Sequence, residues 1–259
     1  SYGWGSAGKF HHCQSQLHRF LNHFGGFTGS LSTYSFAAAD VIIPHVIGPW
    51  RRVMVDAWLW EDVETKTELV VSFGGIPLKN GQTNLGGVGH HRLAPALRRC
   101  REAGVDFIYV GPIRDDLADF LDAEWLAPRP NTDTAIMMGL AHTLVAENLH
   151  DEAFLEKYCE GFDRFRAYLV GDVDGDPKDA DWAAEISGID ADTIRALARR
   201  MAAKRTLINI AFSLQRAEHG EQPYWMGTVL AAMLGQIGLP GGGIGFGYSA
   251  VNAIGMATE

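Results

Sequence analysis

Cysteine is scarce in this chain: Cys13, Cys100 and Cys159 are the only three, and no two of them form a CxxC or CxxxC pair. That spacing disfavours a disulfide framework, a zinc site and an iron–sulfur cluster within the chain. Basic residues are also short. The 22 Lys and Arg against 31 Asp and Glu leave a net charge of −9. With no basic patch interleaved with aromatics, a nucleic-acid surface is disfavoured. No apolar stretch approaches the roughly 18 to 20 residues of a membrane span. There is no GxSxG elbow, so a serine hydrolase has little support. The chain opens on Ser1 without an initiator Met, a charged n-region or an apolar h-region. It therefore reads as a piece of a longer protein, and the missing leader says nothing about compartment.

What is present is a globular composition, 47% apolar and 20% charged over 259 residues, enough for one large or two modest domains. Phe10, Cys13, Leu17, Phe20, Leu21 and Phe24 recur at helical spacing, which predicts a helix over Lys9–Phe24, stopped by Gly25-Gly26. Val41-Ile42-Ile43 reads as a short buried strand ended by Pro44. Buried strands are then expected at Glu68–Phe73, Asp106–Val110 and Thr206–Ile210. Helices are expected at Leu93–Ala103, at Thr134–Glu147, around Ile194–Met201 with Asp190 as N-cap, and at Tyr224–Ile237. Continuous apolar strands alternating with helices imply an α/β fold: a doubly wound, mostly parallel sheet with flanking helices. The organisation expected is a segment 1–45 belonging to a neighbouring domain, a Rossmann-like domain over 46–216, and a helix with the glycine-rich loop Gly241–Gly247 over 217–259.

Candidate chemistry sits where strands end. In a doubly wound sheet, ligands lie beyond the carboxyl ends of the strands, where glycines permit close approach and helix N-termini attract phosphate. Gly74-Gly75-Ile76-Pro77-Leu78-Lys79 and Gly111-Pro112-Ile113-Arg114 fit such ends, with Lys79 able to meet a phosphate. Neither is the GxGxxG fingerprint of a nicotinamide site, and ordinary tight turns explain them equally well. Asp133, before a helix, either caps it or accepts hydrogen bonds from a guanine edge. Gln215-Arg216 and Glu218–Gln222 form a polar cluster that suits either a site or a helix-start network. His11-His12 and His90-His91 lack ligand spacing and read as surface or loop histidines. Ser35, between an aromatic, glycine-rich approach and a run of small residues, offers a side-chain oxygen that a loop serine would also show.

An ordered set of landmarks goes further. SYGW (Ser1–Trp4), TYSFAAADVIIPHVIG (Thr33–Gly48), FGGIPLKN (Phe73–Asn80), RPNTDTA (Arg129–Ala135), LAHTLVAENLHDEAFLEKYCEGFD (Leu140–Asp163), QRAEHGEQ (Gln215–Gln222) and LAAMLGQIGLPGGGIGFG (Leu230–Gly247) span nearly the whole chain. Together they resemble the DMSO reductase family of molybdenum enzymes, in its serine-ligated branch, which reduces S-oxides and N-oxides. The resemblance implies molybdenum held by bis(molybdopterin guanine dinucleotide). It makes Ser35 the metal ligand, a hard oxygen donor suited to a high-valent metal. It also implies that the Tyr2 hydroxyl hydrogen-bonds the transferred oxygen and that Trp4 packs and donates at the metal's open side. Arg216 and Gln215 would lie near the substrate and cofactor. Gly74, Pro77, Lys79 and Pro112 would lie along a pterin dinucleotide, and Asp133 would read a guanine. The implied partners are a small S-oxide or N-oxide, with Tyr2 leaning toward sulfoxides, and an electron donor protein or reductant. The implied chemistry is oxygen-atom transfer to reduced molybdenum, followed by removal of the oxygen as water with two electrons and two protons. The parts of the family fold before and after this stretch would be absent, so the isolated chain is expected to bind cofactor poorly and be inactive. Two positions depart from the family pattern. Gly111 replaces an Asp common before the Pro, and Phe212 replaces an aromatic that is often Trp.

Overall fold

Five strands form one sheet: β1 (Leu69–Phe73), β2 (Asp106–Val110), β3 (Glu124–Leu126), β4 (Thr206–Ile210) and β5 (Gly243–Phe246). They lie in the order β3-β2-β1-β4-β5, and every neighbouring pair is parallel. All residues of β1 and β4 are buried, as expected for strands covered on both faces. The structure, a computed structural model, describes residues 10, 12–83 and 90–257.

Eleven helices are seen among the described residues. Four precede the sheet: α1 (Cys13–His23), α2 (Ala37–Val46), α3 (Trp50–Val55) and α4 (Trp60–Lys66). The crossover from β1 to β2 carries α5 (Leu93–Glu102). Between β3 and β4 lie α6 (Asp133–Ala146), α7 (Glu152–Tyr158), α8 (Phe162–Leu169), α9 (Ala180–Ser187) and α10 (Ala191–Ala203). The crossover from β4 to β5 carries α11 (Glu221–Met233). The β1–β2 and β4–β5 crossovers run in opposite directions across the sheet. Right-handed connections therefore place α5 and α11 on opposite faces. Packing agrees: α5 meets α4, while α6 meets α9, α10 and α11.

Two expectations are corrected. Val41-Ile42-Ile43 is not a strand but the middle of α2. A short apolar run cannot by itself distinguish a strand from a buried helix segment. Here Ala37-Ala38-Ala39 start a helix that packs on α11, and Pro44 sits late enough that the helix closes only two residues further on. Gly241–Gly247 is not simply a loop, because Gly243–Phe246 pairs with β4 as the edge strand β5. Glycine's low strand propensity hid it. Since β5 comes from segment 217–259, the sheet continues past residue 216.

Other helices match closely. Asp190 caps α10 by accepting from the Thr193 amide at 3.0 Å. The expected first helix appears as α1, yet none of its residues is buried, and Phe20 and Phe24 are exposed. Helices α3, α4, α7, α8 and α9 and strand β3 were not foreseen.

Candidate functional site at the sheet switch point

The sheet order reverses between β1 and β4, and their register brings both strands to an end at the same level, Phe73 beside Ile210. A crevice at such a point is where doubly wound folds hold ligands. Three turns build it. After β1 the chain turns at Gly74 (φ +80°), where a Cβ would lie 2.4 Å from the Ala211 Cβ. A Cβ on Gly75 would lie 2.4 Å from the Asp116 carbonyl oxygen. After β4 comes a 3-10 turn, Phe212–Gln215. After β5 the chain turns at Gly247 (φ +70°), packed on the Phe212 ring. Together with Ser35 they enclose a cavity of about 430 Å³, whose lining includes Gly75, Pro77, Lys79, Arg216 and Ser249.

A buried polar chain under the cavity ties these turns together. Ser72 Oγ donates to the Gly74 carbonyl at 2.6 Å. Asn209 Nδ2 donates to Ser72 Oγ at 2.8 Å, and the Tyr248 amide donates to Asn209 Oδ1 at 3.2 Å. Ser72 and Asn209 are register partners in β1 and β4, so the sheet itself sets their contact.

Ser35 is half-buried and stands one residue before Phe36, the N-cap of α2. Its amide donates to Thr33 Oγ1 at 3.2 Å. Phe36 packs edge-on against Phe212, centroids 5.3 Å apart, and against Trp50. The segment thus rests on the aromatic cluster that floors the cavity. In that cluster Phe212, at the position that departs from Trp, fills the space beside Gly247.

Of the sequence-predicted site residues, the structure brings Ser35, Pro77, Lys79 and Arg216 to this cavity, with Gly74 turning into its wall. Lys79 Nζ pairs with Asp116 at 3.3 Å, and both line the cavity. Gln215 does not line it; its side chain points into the Ser35 segment. Pro112 and Asp133 lie outside it. Pro112 is exposed after Gly111, where a Cβ would lie 2.4 Å from the Tyr109 hydroxyl. That hydroxyl donates to the Ile113 carbonyl, so Tyr109 fills the space a larger residue at 111 would need. Asp133 is the first residue of α6, but its side chain does not cap the helix; Thr132 is the N-cap. Burial raises the Asp133 pKa from its ordinary 3.8 to about 6, partly opposed by a hydrogen bond from its own backbone. Tyr2, Trp4 and His11 lie outside the described residues. His12 caps α1, its Nδ1 accepting from the Ser15 amide. No cluster of three or more metal-ligating side chains occurs among the described residues.

Sequence reasoning missed Ser249. It is 1% exposed, sits at φ +66°, lines the cavity, and its hydroxyl has no partner among the described residues. A larger cleft of about 630 Å³, lined in part by Met138, Phe165 and Trp225, shares no residue with the Ser35 cavity; of the candidate residues it takes in Gln222, from the polar cluster.

The family described as "Molybdopterin oxidoreductase" matches residues 1–257. The chain belongs to the molybdopterin oxidoreductase family. Among its relatives, biotin sulfoxide reductase of Cereibacter sphaeroides is 46% identical over 98% of this chain and 34% of that protein. Dimethyl sulfoxide/trimethylamine N-oxide reductase of the same organism is 46% identical over 96% of this chain and 30% of that protein. Trimethylamine-N-oxide reductase of Haemophilus influenzae is 40% identical over 96% and 30%. The chain thus spans about a third of the length of the curated relatives it matches. Acetylene hydratase from Pelobacter acetylenicus shares the fold, with a TM-score of 0.58 and 21% identity over 85% of this chain and 27% of that one.

Membership in this molybdopterin oxidoreductase family implies molybdenum and molybdopterin. The residues fit such a group. Ser35 brings a hard oxygen donor to the cavity, Gly75 leaves its wall bare of side chain, and Ser249 holds a buried hydroxyl that a polar cofactor edge would satisfy.

Proposed function

We propose that this chain supplies the metal-ligating serine and one cofactor-facing wall of a molybdenum-dependent S-oxide or N-oxide reductase. The observation that carries this reading is Ser35 at the switch-point cavity, in a chain 40 to 46% identical to reductases of biotin sulfoxide, dimethyl sulfoxide and trimethylamine N-oxide. When bound, the molybdenum–dithiolene group supplies two-electron oxygen-atom transfer. Ser35 Oγ, deprotonated, would hold the metal. The Arg216 guanidinium, on the same cavity, orients the polarised S–O or N–O oxygen, and Tyr2 donates to that oxygen as charge builds on it. Trp4 would pack and donate at the metal's open side.

The cofactor form we propose is bis(molybdopterin guanine dinucleotide). Lys79 supplies a cation for a phosphate at the Gly74–Pro77 turn. Ionised Asp133 accepts from a guanine's N–H donors, and Pro112 lines the nucleotide's path. An electron donor protein or reductant would supply the two electrons that this chemistry needs. Ser35 favours this reading over formate dehydrogenase or nitrate reductase chemistry, which expects Cys, selenocysteine or Asp as ligand. It also favours it over a nicotinamide-dependent dehydrogenase, whose glycine fingerprint is missing after β1. The test is Ser35→Ala in the full-length enzyme. Loss of sulfoxide and N-oxide reduction with an altered Mo(V) electron paramagnetic resonance (EPR) spectrum is expected. Unchanged spectra and turnover would refute the assignment.

A further inference from the structure

Helix α2 begins immediately after Ser35, and its own N-cap, Phe36, makes no side-chain capping bond. Its first amides therefore need acceptors from elsewhere. Gln215 Oε1 accepts from the Ala38 amide at 2.7 Å and from the Ala39 amide at 3.3 Å. The same carboxamide donates through Nε2 to the Tyr34 carbonyl at 3.4 Å. One side chain thus grips the backbone on both sides of Ser35. Beside this grip, the Ser35 amide donates locally to Thr33 Oγ1 and Phe36 packs on Phe212 and Trp50, while Leu31 and Tyr34 just before are almost fully exposed.

Gln215 is itself held firmly. It is 7% exposed and ends the turn that leaves β4. On one side, Gly74 admits Ala211 and Leu214 where a Cβ would meet both. On the other, Gly220 approaches so closely that its Cβ would lie 1.9 Å from the Gln215 carbonyl oxygen. Position is therefore transmitted from the end of β4, through Gln215, to a segment whose own side-chain hydrogen bonding, among the described residues, is confined to Ser35 and Thr33.

We propose that Gln215 is a positioning residue for Ser35, setting where its oxygen stands over the cavity, and does not itself touch substrate or cofactor. The proposal rests on Ser35 being the metal ligand. Two variants of the full-length enzyme separate the roles of the carboxamide. Gln215→Leu removes the acceptor and the donor. Gln215→Glu keeps an acceptor for Ala38 and Ala39, favoured by the helix dipole, and loses the donor to Tyr34.

Hydrogen exchange at Ala38 and Ala39, read on cofactor-free protein, is expected to speed up roughly 3- to 30-fold in Gln215→Leu, the span set by loss of a helix cap. In Gln215→Glu it is expected to stay within about twofold of the parent. In the loaded enzyme, Gln215→Leu is expected to shift or split the Mo(V) EPR signal and to lower kcat about tenfold with KM changed less than twofold, because a displaced ligand alters the step and not the encounter. Unchanged exchange in Gln215→Leu overturns the proposal. So does equal loss of protection in both variants, or faster exchange with unaltered EPR and kcat. Ser35→Ala keeps the two failures apart. It leaves Ala38 and Ala39 protected whatever the metal does, and an unchanged EPR spectrum in that variant would sink the ligand assignment alone.

Discussion

Replacing Asn209 by Leu tests whether the buried polar chain holds the three cavity walls as one unit. Leu keeps the branching and removes both polar atoms. The orientation of Asn209 is fixed by the Tyr248 amide, which requires an oxygen opposite it. In Asn209→Leu that amide, on a residue 2% exposed, loses its acceptor at a cost of about 1–3 kcal/mol. Ser72 keeps its bond to the Gly74 carbonyl and loses only the one it accepts, adding about 0.5–1.5 kcal/mol. The sum is about 1.5–4.5 kcal/mol. Ser72→Ala orphans two other groups, the Gly74 carbonyl and Asn209 Nδ2, for a similar total. In the double variant Nδ2 no longer exists to be orphaned, so the combined effect should fall short of the sum by about 1–3 kcal/mol. Native-state hydrogen exchange of the β1 and β4 amides in the full-length protein reads these opening free energies. Each 1.4 kcal/mol is about tenfold in exchange rate, so Asn209→Leu should accelerate exchange roughly 10- to 1500-fold. Effects that add to within about 0.5 kcal/mol would refute the chain as a coupled unit.

Two further outcomes follow from single positions. The folded state raises the Asp133 pKa from 3.8 to about 6, so it binds that proton more tightly than the unfolded chain does. The resulting stability is complete below about pH 4 and is lost as pH rises through about 6, about 3 kcal/mol in all. Asp133→Asn should flatten the pH dependence of the urea midpoint across that window, and an unchanged slope would contradict the assignment. Gly75→Ala places a Cβ 2.4 Å from the Asp116 carbonyl oxygen, a backbone atom with little room to give. The turn should shift at a cost of about 1–3 kcal/mol, and molybdenum per full-length polypeptide, measured by elemental analysis, should fall. Normal metal content would show that this wall does not shape the cofactor site.

The legible parts of this chain are those whose local pattern and tertiary role agree. Leu69–Phe73, Asp106–Val110 and Thr206–Ile210 read as strands because burial on both faces leaves largely apolar runs. The glycine turn after β1 reads only as a tight turn at a strand's end, and the register of β1 on β4 is what places it beside the switch point. Where local pattern and tertiary role diverge, the sequence misleads. The β-branched run in α2 is helical with help from a carboxamide at position 215, far along the chain and outside any local window. Strand β5 is paired despite its glycines, because its register on β4 lies in the tertiary fold and outside any local window. Ser35 could not be told from a loop serine by local chemistry, and it took ordered landmarks on both sides to single it out. Ser72 and Asn209 are different, because a signal for them was present and unused. Each is the polar fourth residue of an otherwise largely apolar five-residue strand, LVVSF and TLINI, one place before the strand ends. A polar group at the same depth in two buried parallel strands has to find a partner. In adjacent strands in register, the nearest candidate is the other one. That match predicts β1–β4 adjacency, and with it the switch point, from the sequence.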